Sequence, residues 1–140
     1  SGNLAEPTSV PTRIPRLDEL PEGAPAGAIL GHEALDYAGT SQWVCGRIGI
    51  VVIDNDDFPA TGTYPRVRLL LGRTFSMLDP WVFFHLDRPV EDPEDFRTSV
   101  LGETLCVYGA LNIGEVTFPY NLTRERIVID VYQKEQLWEP

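Results

Sequence analysis

The chain has 140 residues, a length that corresponds to one domain with room for a short tail. It carries 21 acidic and 11 basic residues, so its formal net charge is −10. Nucleic-acid affinity comes largely from lysine and arginine replacing counterions, and this charge therefore disfavours general nucleic-acid binding. The apolar runs, such as residues 48–53, are far too short to cross a bilayer as a helix, so no transmembrane segment is expected.

Residues 1–30 are expected to form a Pro-rich extended leader before a folded domain that spans residues 31–140. Prolines recur through the leader among small, polar and acidic residues. Proline removes an amide donor and disfavours a helix interior, so this segment should be extended, and residues 1 to about 28 should contribute little to the core of the domain.

The domain begins with residues 32–38, which predict one or two helical turns ending at Gly39. Residues 42–53 predict a long first strand, in which Gly46 and Gly49 favour a bulge or a sharp bend. A short helix with Pro93 in its first turn is predicted at residues 93–100. Four more strands are predicted, at residues 65–72, 81–86, 103–113 and 127–133.

Five strands, with a short helix between the third and the fourth, follow the order of an OB barrel. Residues 43–48 (WVCGRI) resemble the opening VCG-x-V strand of small bacterial OB-fold domains of the extracytoplasmic, lipoprotein type. Residues 101–109 (LGETLCVYG) resemble their fourth strand, and residues 65–72 and 127–137 resemble their second and last strands. The resemblance implies an all-β fold with one or two short helices, built as a five-stranded OB-type β-barrel.

Two departures from that pattern remove features associated with polyanion binding. Glu103 stands where the family has lysine, and the approach to the last strand reads FPYN at residues 118–121. OB barrels carry many functions, so the resemblance implies a fold and does not by itself imply a nucleic-acid ligand.

Cys45 and Cys106 are the two cysteines of the chain. The first strand of an OB barrel pairs with the fourth, so the resemblance places them on neighbouring strands and favours a structural disulfide. Two buried thiols that never meet are the alternative. A disulfide implies an oxidising compartment, so the expected location is extracytoplasmic. The protein would be either secreted or held at a membrane by a lipid or signal-derived anchor upstream of Ser1. A cytoplasmic location is the alternative.

The second and third strands predict a face that points away from the core. Side chains alternate between the two sides of a strand. If Val67, Leu69 and Leu71 of the second strand point inwards, and Val82, Phe84 and Leu86 of the third strand do the same, the residues between them point outwards. These neighbours include arginines and aromatic rings, which is the chemistry of a stacking platform. The candidate ligand-binding residues are Arg66, Arg68, Trp81, Phe83 and His85. Large aromatic residues on a protein surface are usually covered, so the favoured interpretation is that Trp81 and Phe83 lie under the leader or a partner protein, and an exposed stacking platform is the alternative.

No residue pattern meets the requirements of an enzyme or a zinc site. His32 and His85 are far apart in sequence and lack paired ligand spacing or a nucleophile motif, so no catalytic residue, metal or cofactor is expected. The oxygen-rich loop at Asp54, Asn55, Asp56 and Asp57 is interpreted as an acidic turn, with a calcium site as the alternative.

The sequence therefore predicts a non-enzymatic, exported binding or interaction domain for a protein or small ligand. Two alternatives remain open. One is a single-stranded nucleic-acid or oligosaccharide binder that uses the face of strands two and three. The other is a cation-dependent module that uses the Asp54–Asp57 loop.

Overall fold

The computed structural model describes residues 14–54, 66–72, 79–85, 92–118 and 122–140. One α-helix, α1 (Pro93–Val100), and two 3₁₀ helices, Gly31–Tyr37 and Lys134–Gln136, accompany the strands. None of the described helices is long and apolar enough to span a membrane. The strands are β1 (Ile29–Leu30), β2 (Ser41–Asp54), β3 (Arg66–Leu71), β4 (Trp81–His85), β5 (Thr104–Ala110), β6 (Asn112–Phe118), β7 (Leu122–Val131) and β8 (Leu137–Trp138).

All eight strands belong to one mixed sheet, in the order β6-β7-β4-β3-β2-β5-β8, with β1 paired to β2. The β4–β7 and β1–β2 pairs are parallel, and the remaining pairs are antiparallel. The prediction of a mostly-β fold with short helices is confirmed. The prediction of a closed five-stranded barrel is wrong, because the sheet has eight strands and does not close over the described residues.

The larger strand count has two causes. The predicted fourth strand is divided at Leu111, which belongs to neither β5 nor β6: Leu111 N donates to Thr40 O, and Gly39 N donates to Leu111 O, both at 2.8 Å. The two halves then pair with different strands, β5 with β2 and β6 with β7. The two-residue strands β1 and β8 are the other additions, and they are too short to show alternation in the sequence.

Strand β2 is shared between two ladders, as its internal glycines predict. Its first half pairs with β5 and its second half with β3, and the register shifts between Ile48 and Ile50. Gly49 lies at this shift, and a Cβ there would overlap the carbonyl oxygen of Gly72. A glycine is therefore needed where the strand bends.

The strands bury two apolar clusters on opposite faces. The main core includes Val44, Leu69, Val107 and Ile129. Gly109 lets β5 approach β7 across this core, since a Cβ there would lie 2.8 Å from the Cγ2 atom of Ile129. The second cluster, on the other face of the sheet, is built from Leu70, Trp81 and Val116. Full burial of one valine, leucine or isoleucine side chain in these clusters stabilises the folded state by roughly 1.5–3 kcal/mol.

Helix α1 lies at the predicted residues because its first turn contains strong start signals. The Asp92 side chain caps the helix by accepting a hydrogen bond from Asp95 N at 3.1 Å, and Pro93 occupies the first turn. Phe96 and Val100 pack against the main core, which orients the helix on the domain.

The disulfide between Cys45 and Cys106 is confirmed. The two residues are directly opposite each other in the antiparallel β2–β5 ladder, and both are 0% exposed. Neither belongs to the main core cluster, because both point to the other side of the ladder from Val44 and Val107. The disulfide therefore crosslinks the two strands outside the main core.

The described part of the predicted leader lies against the domain. Arg47 Nη1 donates to Pro15 O at 3.1 Å, and the buried residues Ile29 and Leu30 form β1 beside β2. Ile29 also packs in the main core. The domain boundary at residue 31 stays a prediction.

Candidate binding face

The register of three strands assembles one face of the sheet. In the β3–β4 ladder, Arg68 is opposite Phe83, and the backbone of Arg66 is opposite His85. In the parallel β4–β7 ladder, Asp130 is opposite Phe83. Paired residues in neighbouring strands point to the same side of the sheet. Asp130 therefore lies on the same face as the predicted site residues of β3 and β4.

Burial divides this face into two parts. Trp81 is 1% exposed and packs with Leu70 and Val116, while Phe83 is partly buried against the same cluster. Trp81 is therefore a covered core residue and does not belong to an exposed platform, although the sequence placed it among the candidate ligand-binding residues. Its cover includes Val116 of β6 in the same chain, and neither the leader nor a partner protein is needed to explain its burial.

The exposed part consists of an aromatic stack and a carboxylate. The rings of His85 and Tyr132 are stacked, with centroids 4.1 Å apart and an interplanar angle of 11°. His85 Nε2 lies 3.5 Å from Asp130 Oδ1, a contact that becomes an ion pair when the imidazole is protonated. Tyr132 is 65% exposed, so one side of the stack is open to solvent. We call Arg68, Phe83, His85, Asp130 and Tyr132 the outer face.

Gln136 holds the Tyr132 end of the outer face in place. Its Oε1 accepts hydrogen bonds from the backbone N–H groups of Tyr132 and Gln133, at 2.9 and 3.1 Å. Its Nε2 donates to the carbonyl oxygens of Tyr108 and Asp130, at 2.9 and 3.1 Å. One side chain thus ties the end of β7 to β5, which limits the movement of the Tyr132 backbone.

Asp130 and Tyr132 were absent from the sequence-based candidate site. The signal was present, because alternation that turns Ile127, Ile129 and Val131 inwards turns residues 128, 130 and 132 outwards. The alternation could not show which strand lies beside β7 in the sheet. The parallel β4–β7 ladder brings Tyr132 beside His85, and these two residues are 47 positions apart in the chain.

Beyond the Trp81 end of this face lie two buried charged residues. Asp79 is 2% exposed and Arg126 is 4% exposed. Burial lowers the pKa of Arg126, the Arg124 cation lowers it further, and the negative charge of Asp79 raises it. An arginine keeps its charge in proteins, so the attraction between Arg126 and Asp79 offsets part of the cost of burying both.

The other candidates are not brought into this face. His32 lies in the first 3₁₀ helix, on a different element from His85. Asp54 ends β2, while Asn55, Asp56 and Asp57 lie outside the described residues, so the cation-loop alternative is untested. Within the described parts of the chain, no group of three or more histidine, cysteine, aspartate or glutamate side chains could hold a metal ion.

No model of a known protein family matches the chain, and no curated protein matches it in sequence. The resemblance to small bacterial OB-fold domains therefore rests on the sequence motifs alone.

Proposed function

We propose that this chain is a non-enzymatic binding domain that works outside the cytoplasm and holds an oligosaccharide on its outer face. The observation that carries this proposal is the His85–Tyr132 stack, which is open on one side and lies next to the Asp130 carboxylate. An exposed aromatic ring beside hydrogen-bonding groups offers a flat apolar surface and polar contacts to the same ligand.

A sugar ring suits both kinds of contact. Its C–H face is apolar and packs on an aromatic ring, while its hydroxyl groups both donate and accept hydrogen bonds. Asp130 supplies acceptors, Arg68 supplies donors, and His85 supplies either, depending on its protonation. The carboxylate and the guanidinium nearly cancel in charge, so this face favours a neutral ligand over a polyanion.

The strand order supports the choice of face. Strand β2 serves two ladders, β4 and β7 are parallel, and α1 lies between β4 and β5 in the chain. We propose that this is an OB-like arrangement in which the division at Leu111 replaces a continuous fourth strand. OB folds bind oligosaccharides and oligonucleotides on the face of their second and third strands, which correspond here to β3 and β4.

The buried disulfide supports the proposed location. Disulfides persist in oxidising compartments and are rare in the cytosol. Cys45 and Cys106 are 0% exposed and join two strands of the sheet, which is the arrangement of a structural crosslink. We propose that the domain is exported, either secreted or anchored.

A glycan array followed by calorimetric titration of the strongest hits tests the proposal. We expect binding, and we expect Tyr132→Ala to weaken it about tenfold, since the ring supplies the apolar surface on which the sugar packs, at roughly 25 cal/mol per Å² of apolar area buried. Tyr108→Ala is the matched control, because Tyr108 is another exposed tyrosine, placed on β5 against Trp43. It should leave saccharide affinity unchanged.

Single-stranded oligonucleotides provide the competing measurement. At physiological salt we expect no affinity tighter than high micromolar, since few arginines face the ligand. Sub-micromolar oligonucleotide binding that Tyr132→Ala and Arg68→Ala both abolish would replace the saccharide proposal with the nucleic-acid alternative. A glycan array without any Tyr132-dependent hit would contradict the saccharide proposal.

A further inference from the structure

We infer that residues 14–28 form a strap over the Cys45–Cys106 disulfide, and that opening of this strap controls how fast a thiol reductant reaches the disulfide. The two cysteines are 0% exposed, yet they point to the side of the β2–β5 ladder that faces away from the main core. We call this the disulfide side. A group that is buried there needs a cover of its own, because the main core does not cover it.

Two neighbouring strands flank the disulfide within the sheet. Leu30 of β1 is opposite Cys45 in the parallel ladder, and Trp138 of β8 is opposite Cys106. Paired residues point to the same side of a sheet, so the side chains of Leu30 and Trp138 lie on the disulfide side. Leu30 is buried and Trp138 is partly buried. They enclose the disulfide laterally, so the cover above it has to come from another part of the chain.

The strap lies against the neighbours of both cysteines. Leu17 and Cys45 line the same gap, which has room for about one water molecule. Further along the strap, a Cβ on Gly23 would lie 3.7 Å from Cζ2 of Trp138, which is ordinary van der Waals contact. None of these residues belongs to the outer face, so the strap does not depend on the proposed saccharide.

Two successive turns give the strap its shape. They are formed by residues 21–24 (PEGA) and 25–28 (PAGA), and in each the amide of the fourth residue donates to the carbonyl oxygen of the first, at 3.1 and 3.2 Å. The third residue of each turn is a glycine with a positive φ, +82° at Gly23 and +80° at Gly27. Type II turns favour glycine at this position for that reason. The turns keep the strap in a defined shape from which it can close again.

The strap is held less firmly than the strands beneath it. Residues 14–28 are all partly buried or exposed, whereas both cysteines are fully buried. Arg47 Nη1 donates to Pro15 O at 3.1 Å, and this bond is open to solvent. Segments with few buried apolar contacts open locally at a lower free energy than the whole domain. The strap should therefore open while the sheet stays folded.

Reduction depends on this opening because a thiolate has to reach a sulfur atom. One thiolate of a dithiol such as dithiothreitol attacks a sulfur of the disulfide, the S–S bond breaks, and the other cysteine leaves as a thiolate. The second thiol of the reagent then displaces the first cysteine from the mixed disulfide. The reagent is oxidised to a cyclic disulfide, while Cys45 and Cys106 together take up two electrons and two protons.

Reduction of the full chain by dithiothreitol, followed by alkylation of the free thiols and mass spectrometry, tests the strap. We expect Leu17→Ala to be reduced about tenfold faster than the unsubstituted chain, since less apolar area then holds the strap closed. Leu20→Ala is the matched control, because Leu20 belongs to the same segment but is 43% exposed. It should leave the reduction rate unchanged. Equal rates for the two variants would overturn the inference.

Arg47→Met is the second test, because it removes the bond to Pro15 O and keeps an unbranched side chain. Loss of a positive charge by itself slows the approach of an anionic thiolate, so faster reduction of this variant indicates a looser strap. Arg97→Met removes the same charge from α1, where Arg97 pairs with Glu94 at 2.8 Å, and should not speed reduction. Reduction of Arg47→Met no faster than that of Arg97→Met would contradict the strap.

The urea dependence of the reduction rate separates opening of the strap from unfolding of the domain. Opening of the strap exposes little surface, so the rate should change little with urea below the unfolding transition. Leu17→Ala should raise the rate in this range by more than its loss of global stability, measured by urea unfolding of the oxidised variant, accounts for. A rate that follows global unfolding at every urea concentration and in every variant would overturn the inference, because the disulfide would then react only in the unfolded chain.

Discussion

Replacing both cysteines, Cys45→Ala with Cys106→Ala, is expected to lower the free energy of unfolding by roughly 4 kcal/mol, with a range of about 2–5. The two residues are 61 positions apart, so the disulfide closes a long loop and removes many conformations from the unfolded chain. Urea denaturation of the oxidised protein and of the double variant measures the difference. A loss of that size is a large fraction of the stability of an ordinary domain.

Reduction of the unsubstituted protein provides the control. Because both cysteines are 0% exposed, a reductant should act slowly on the folded protein and quickly once urea has opened it. The reduced protein should then unfold at about the same urea concentration as the double variant, while the reductant should not affect the double variant. A decrease below about 1 kcal/mol in both experiments would show that the disulfide adds little to stability.

Trp81→Ala is expected to destabilise the domain by about 3–5 kcal/mol, because it removes a buried aromatic side chain and leaves a cavity. Trp81 is 1% exposed and packs between Leu70 and Val116, so its indole connects β4 with strands on both sides. Thermal or urea unfolding measures this loss. Any fall in ligand affinity in this variant would follow from the loss of folded protein and would not identify Trp81 as a ligand contact.

Tyr132→Ala is the control for this comparison, since it removes another aromatic ring from the same side of the sheet. Tyr132 is 65% exposed, and we expect its removal to change stability by no more than about 0.5 kcal/mol. The two variants should therefore separate stability from binding. Trp81→Ala should lower the free energy of unfolding, and Tyr132→Ala should lower the affinity for the saccharide. Similar stability losses in both would contradict the division of the face into a buried and an exposed part.

Local chemistry was sufficient to predict most of the elements. The cap at Asp92 followed by Pro93 gives α1 its start, and the signal lies within four consecutive residues. The bend in β2 follows in the same way from glycines inside a β-branched run. In contrast, nothing in residues 103–113 marks Leu111 as a break between two strands, because its backbone hydrogen bonds join it to Gly39 and Thr40, which are far away in sequence.

The candidate site was also only partly predictable from local sequence patterns. Alternation correctly assigned Arg68, Phe83 and His85 to one side of the sheet, because the side-chain period of a strand is two residues whatever lies beside it. The period does not reveal what covers that side. Trp81 and Tyr132 are both aromatic residues of this face, and one is buried while the other is exposed.

The sequence by itself thus determined the β-rich class, the position of α1 and the two sides of β3 and β4, while the family resemblance favoured the pairing of the two cysteines. Tertiary structure decided the number of strands, the burial of Trp81 with Leu70 and Val116, and the contact between His85 and Tyr132. The physical reason is the range of the interactions involved. Caps, glycine bends and alternation act within a few residues, whereas burial and site assembly depend on strands that meet only when the chain folds.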